Sequence, residues 1–172
     1  MGWLWIDRII EHDRGERLVA IKNTSLAEGH LRDHLPASGD NPAMPLMPAS
    51  LIIEGMAQTA GILVGAVNDF KEKVILAKIS KAQLDHDLLP GMTLRYTATI
   101  DRIDSAGALT MGTIEARTNS SGQGGDAWQP FGRINLMFSH IDQNMAGLEF
   151  PEENFVFGDN FKAIWGASGI VC

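Results

Sequence analysis

The run Pro48-Ala49-Ser50-Leu51-Ile52-Ile53-Glu54-Gly55-Met56-Ala57-Gln58, prolonged by an apolar stretch to Val67, decides how the rest of the chain is read. Proline suits the edge of a helix, where the N–H it lacks has no intrahelical partner, so the run predicts a long helix beginning near Pro48. Glu54, Gln58 and several glycines make residues 51–67 a poor bilayer span and a good helix buried in protein. Gly61 and Gly65 form a GxxxG spacing, read here as close packing of the helix on a sheet.

On either side the pattern changes to period two. In residues 93–102, Leu94, Tyr96, Ala98 and Ile100 alternate with Thr93, Arg95, Thr97 and Thr99, as in a half-buried strand. Asp104-Ser105-Ala106-Gly107 turns the chain into a strand at 109–118. After a glycine-rich loop at 119–126, Gly132, Ile134, Leu136 and Phe138 alternate with Arg133, Asn135, Met137 and Ser139. Three consecutive antiparallel strands are expected. Residues 17–24 and 74–84 read as further strands, the second leading to the turn Leu89-Pro90-Gly91. The expectation is an α+β domain, one long helix among five or six strands.

Composition bounds the function. The 172 residues, 45% apolar and 20% charged, suit one globular core. A net charge of -7 repels phosphate backbones, so nucleic acid is not an expected partner. The lone Cys172 allows no internal disulfide, and the N-terminal run Met1-Gly2-Trp3-Leu4-Trp5-Ile6-Asp7-Arg8 lacks a signal peptide's basic leader. A cytoplasmic setting with no membrane association is expected.

Glu54 carries the chemistry. It stands too far into the helix for capping, among Ile52, Ile53, Met56 and Ala57, where a carboxyl group is costly unless paired or employed. Neither Leu46 nor Met47 offers a side-chain oxygen to the first-turn N–H groups, which leaves those donors open to a polarised carbonyl, while Ser50 can make a local bond. Of the five histidines, His12, His30, His34, His86 and His140, His34 stands out because His34-Leu35-Pro36 opens a proline-rich segment leading to the helix. Metal binding by His30, His34, Asp33 and Asp40 ranks below acid–base use of His34, since no HExxH pattern is present.

His34-Leu35-Pro36, Pro42, and the run from Met47 to Gln58 together resemble the hot dog fold 3-hydroxyacyl-[acyl-carrier-protein] dehydratases. The likeness extends to Trp5-Ile6-Asp7-Arg8, to Lys22-Asn23-Thr24-Ser25 and to Leu89-Pro90-Gly91, covering about residues 3–140. It implies an antiparallel sheet wrapped around the long helix and a homodimer, or an oligomer of dimers, with a continuous sheet. It also implies a site at the subunit interface, with His34 of one chain facing Glu54 of the other as the catalytic pair. Ala49, Ser50 and Gln58 fall on the substrate-binding side, with the N–H at Ala49 on the thioester carbonyl. The implied reaction is dehydration of a 3-hydroxyacyl thioester, carried on acyl carrier protein or coenzyme A, to the trans-2-enoyl thioester in fatty-acid or related acyl-chain biosynthesis, without cofactor or metal.

The chain departs from that family in three places: an insertion at residues 37–46, Ala49 where glycine is usual, and Leu84-Asp85-His86-Asp87 in place of a basic run. Two other readings fit the same residues, a thioesterase in which Glu54 activates water and a non-catalytic acyl-binding subunit. The dehydratase-like domain is expected over 1–141. Residues 142–172, with Phe150, Phe155, Phe157, Phe161 and Trp165, are expected to form an extension packed on it.

Overall fold

Among the described residues, six strands form one antiparallel sheet in the order β1-β2-β4-β5-β6-β3. They are β1 (Arg8–Asp13), β2 (Arg17–Asn23), β3 (Val74–Leu84), β4 (Met92–Asp104), β5 (Gly107–Thr118) and β6 (Gln129–His140). Among the described residues, three helices accompany them: a single turn α1 (Gly29–Arg32), the long α2 (Ala49–Val67) and α3 (Asp159–Ala167). The structure is a computed structural model that describes residues 4–118, 127–140 and 156–169. The loop expected at 119–126, the aromatic residues Phe150 and Phe155, and Cys172 lie outside them.

The three-strand run β4-β5-β6 forms as the alternation predicts. Leu94, Tyr96 and Ala98 on β4, Ile114 and Ala116 on β5, and Ile134, Leu136 and Phe138 on β6 are all buried. In register, Tyr96 faces Ile114 and Thr110 faces Leu136, so one face of the sheet presents a continuous apolar surface. On this face lies α2, with Ile52, Met56, Ala60, Leu63 and Val64 buried against it. Two glycines permit the close approach: a Cβ on Gly55 would meet the Tyr96 ring at 2.5 Å, and one on Gly112 would meet the Met56 sulfur at 2.5 Å.

The GxxxG pair divides its work. Gly61 faces the Phe138 ring of the sheet, whereas Gly65 is filled by Phe157 and Phe70. Asp69 and Phe70 both adopt the left-handed conformation, with φ of 51° and 56°, and turn Phe70 back over the end of α2. Its N–H bonds Gly65 O at 2.8 Å, and Arg14 donates to Val67 O at 3.0 Å, so the final carbonyls of the helix are satisfied. Phe70, Phe157, Phe161 and Trp165 then stack with centroid separations from 4.7 Å for Phe70–Phe161 to 5.7 Å for Phe161–Trp165.

By this packing α3 closes the β1 side of the sheet, where Ile9 N donates to Ser168 Oγ at 3.1 Å. Among the described residues, the opposite edge, β3, has no further strand beside it. From Leu76 to Gln83 its residues are exposed, Leu76 by 40% and Ile79 by 44%.

His12 sits at the α3 joint, its ring 5.1 Å from Trp165. Burial holds its pKa below the ordinary imidazole value, with Asp13 opposing the shift and Arg14 reinforcing it. A histidine so held stabilises the fold fully above its unfolded pKa of about 6.5, and that contribution is lost as pH falls through the lowered value. Acidification from about pH 7 to about pH 5 is therefore expected to loosen α3 ahead of the sheet. Amide exchange of α3, corrected for intrinsic rates, checks this; equal acceleration in a His12→Gln variant would refute it.

Candidate active site

The α2 helix begins where its sequence predicts, with Pro48 at the N-cap and no side chain capping it. Met47 N donates to Leu88 O at 2.9 Å, pinning the approach to the helix against the segment after β3. A recess of about 270 Å³ opens there, lined by Met47, Ala49, Ile52, Leu84, His86 and Leu88, with Asp85 and Asp87 at its rim. Ala49 and Ser50 are exposed at its edge. Leu51 N donates to Pro48 O at 2.9 Å, and ordinary helical bonding leaves the N–H groups of Ala49 and Ser50 open.

One turn further on, Glu54 is half-buried on the side of α2 away from the sheet. Its Oε1 accepts from Gln58 Nε2 at 2.8 Å, and Gln58 Oε1 accepts from Trp5 N at 2.8 Å. Because a backbone N–H only donates, this chain of bonds fixes which way the Gln58 amide faces. Gln58, expected on the substrate-binding side, is thus occupied in holding Glu54. Beneath the adjacent Gly55, burial pushes the Tyr96 hydroxyl well above the ordinary phenol range; the Trp5 side chain beside it offsets part of that rise. Tyr96 stays neutral, buried between α2 and the sheet.

His34 follows α1 and is half-buried. Its Nδ1 lies 2.7 Å from Leu31 O. A carbonyl can only accept, so Nδ1 carries the proton and Nε2 is the ring nitrogen left without this bond. The segment that follows, where an insertion is expected, is a small hairpin. Leu35 pairs with Met44, Ser38 and Asn41 exchange backbone bonds of 3.0 and 3.1 Å, and Gly39 takes the positive φ of 57° that the turn requires. Leu35, beside the imidazole, is left 71% exposed.

Within one chain, among the described residues, no hydrogen bond joins His34 to Glu54. Each is held by partners of its own. The other histidines have different surroundings: His30 packs 5.3 Å from Trp5, His140 pairs with Glu72 at 3.1 Å, and His86 lies at the recess.

Sequence reading gave no role to Lys22, which is buried beside this arrangement. Its Nζ lies 3.2 Å from Glu28, 3.4 Å from Asp7 and 2.7 Å from Asn23 O. The signal was present. Leu18, Ala20 and Lys22 alternate on the buried side of β2, so a lysine occupies a core-facing position.

A sheet curled about one long helix, with the polar groups beside that helix, defines a hot dog fold protein. Solved structures agree: a thioesterase family protein from Silicibacter pomeroyi matches with a TM-score of 0.58 at 10% identity, over 77% of this chain and 82% of its own. The PaaI protein from the phenylacetic acid degradation operon of E. coli matches with a TM-score of 0.55 at 12% identity, over 79% of each chain. The chain belongs to the FabA-like family, whose domain model matches residues 2–124. A 3-hydroxyacyl-[acyl-carrier-protein] dehydratase FabZ of Caldanaerobacter subterraneus is 39% identical over 116 residues, 67% of this chain and 74% of the relative. The FabZ of Clostridium kluyveri is 30% identical over 143 residues, 83% of this chain and 88% of that one.

Proposed function

We propose that this protein is a hydro-lyase that removes water from a 3-hydroxyacyl thioester, leaving the trans-2-enoyl thioester. The reaction breaks an α-C–H bond and a β-C–O bond, forms the C=C bond and releases one water. His34 Nε2 takes the α-proton; Glu54, entering as the acid, gives its proton to the departing hydroxyl; a proton passed from imidazolium to carboxylate resets the pair. Negative charge that gathers on the thioester oxygen meets the open N–H groups at Ala49 and Ser50. The observation that carries the reading is that imidazole and carboxyl are each oriented by a hydrogen bond that leaves a working atom available. The names of the FabZ relatives support the same chemistry.

In this reading the two groups meet across a pair of chains. The open β3 edge joins its counterpart in a second copy to continue the sheet, which carries His34 of one chain toward Glu54 of the other. The thioester is carried on acyl carrier protein or coenzyme A, and the setting is cytoplasmic acyl-chain synthesis. Asp85 and Asp87 flank the recess, so an acidic carrier protein docks through basic residues elsewhere, such as Arg32, Lys78 and Lys81.

The test is incubation with 3-hydroxyacyl thioesters on each carrier. Enoyl absorbance that grows without free thiol is the expected result. Release of free thiol would replace this reading with a thioesterase, and binding without turnover would replace it with an acyl-binding subunit.

A further inference from the structure

Lys22 is only 7% exposed, on a strand whose other buried residues are apolar. Its ammonium has three N–H groups and three acceptors around it: Asn23 O at 2.7 Å, Glu28 Oε1 at 3.2 Å and Asp7 Oδ1 at 3.4 Å. The charge also lies over the Trp5 ring, 4.9 Å from its centroid. Asp7 and Glu28 are themselves tied down. Asp7 Oδ2 accepts from Asn23 N at 2.6 Å, and Glu28 Oε1 accepts from Ser25 N at 3.0 Å.

Two lines of contact leave this lysine. Through Glu28, the N-cap of α1, it reaches the helical turn whose Leu31 carbonyl orients the His34 imidazole. Through Trp5 it reaches the backbone N–H that holds Gln58, and thereby the carboxyl of Glu54. His30 also spans the two, 3.5 Å from Glu28 and 5.3 Å from the Trp5 ring, but of this pair only Lys22 adds Asp7 and the Asn23 carbonyl. The α1 turn is four residues long, too short to be stable alone, and residues 4–7 precede the first strand.

We infer that Lys22 is a positioning residue for the dehydration, fixing the His34 loop and the Glu54 helix of one chain in a single geometry through Glu28 and Trp5. This rests on the reaction proposed above. Where each chain lends His34 to one site and Glu54 to the other, a single Lys22 sets half of both sites.

The experiment compares wild type, Lys22→Met and Lys22→Arg in the full chain. It reads kcat and KM, together with the His34 Nδ1–H resonance of protein labelled with 15N-imidazole, assigned by its loss in His34→Asn. Lys22→Met is expected to lower kcat about ten- to a hundredfold with KM within about twofold, and to shift or broaden the His34 resonance. Lys22→Arg, which keeps the charge, is expected to recover most of the loss. A folded Lys22→Met protein with wild-type kcat, or one in which only the melting temperature falls, overturns the inference. Should Lys22→Met not fold, Glu28→Gln, which keeps shape and removes the charge pair, is judged by the same two readouts. Should wild type itself dehydrate no 3-hydroxyacyl thioester, the functional proposal fails separately, and the His34 resonance decides: moved in Lys22→Met it supports the positioning role, unmoved it rejects it.

Discussion

Glu54→Gln is expected to lower kcat for a 3-hydroxyacyl thioester by about two to four orders of magnitude while the protein stays folded. The substituted amide has nearly the carboxyl's shape and can still accept from Gln58 Nε2, which is 2.8 Å from Oε1 in the native chain. It has no acidic proton to give the leaving hydroxyl. His34→Ala is expected to fall by a similar factor, because the base is lost although the Leu31 carbonyl that oriented it remains. The informative measurement follows from mixing the two inactive variants. If each site takes His34 from one chain and Glu54 from the other, random pairing makes half the dimers hybrid, each with one intact site, and about a quarter of wild-type activity returns. No recovery after refolding the mixture together would show that both groups act within one chain.

Ile79→Asp is expected to convert the paired protein to monomers and to remove activity with it. Ile79 and Leu76 are exposed by 44% and 40% on β3, the edge strand that no other element of the described chain covers. An open edge with apolar side chains is a template for another strand, and two-fold pairing brings the same residues of both copies near one another. A carboxylate introduced there meets its own copy as a like charge and removes apolar area from the contact. Size-exclusion chromatography with light scattering reads the mass, and the enoyl assay reads the activity. A monomer that keeps wild-type kcat would rule out a site shared between chains.

Much of the fold was legible in the chain because the governing signals are local. Leu94, Tyr96 and Ala98 alternate with Arg95 and Thr97 in the sheet as in the sequence, although Thr93 is buried as well and the register shifts after Ile100. The helix expected to begin near Pro48 starts at Ala49, with Pro48 as its N-cap. By contrast β1 escaped notice: a register shift between Ile9 and Glu11 leaves Ile9 buried and its neighbour Ile10 43% exposed, so no clean alternation appears. The α1 turn is too short for periodicity to reveal, and α3 is stabilised by contacts of Phe161 and Trp165 with Phe70 that no local window contains. The hairpin before α2 depends on the pairing of Leu35 with Met44, which no local pattern announces.

The site divides along the same line. Sequence alone determined that Glu54 is an ionisable group on an apolar helix and that His34 opens a stiff segment before it, since residue type and spacing are properties of the chain. Which ring nitrogen of His34 carries the proton, which way the Gln58 amide faces, and that Lys22 reaches toward both groups were decided only by tertiary structure. Hydrogen bonds between Trp5 and Gln58, or between Lys22 and Asp7, join residues far apart in the chain, and their geometry exists only once the sheet has closed around the helix.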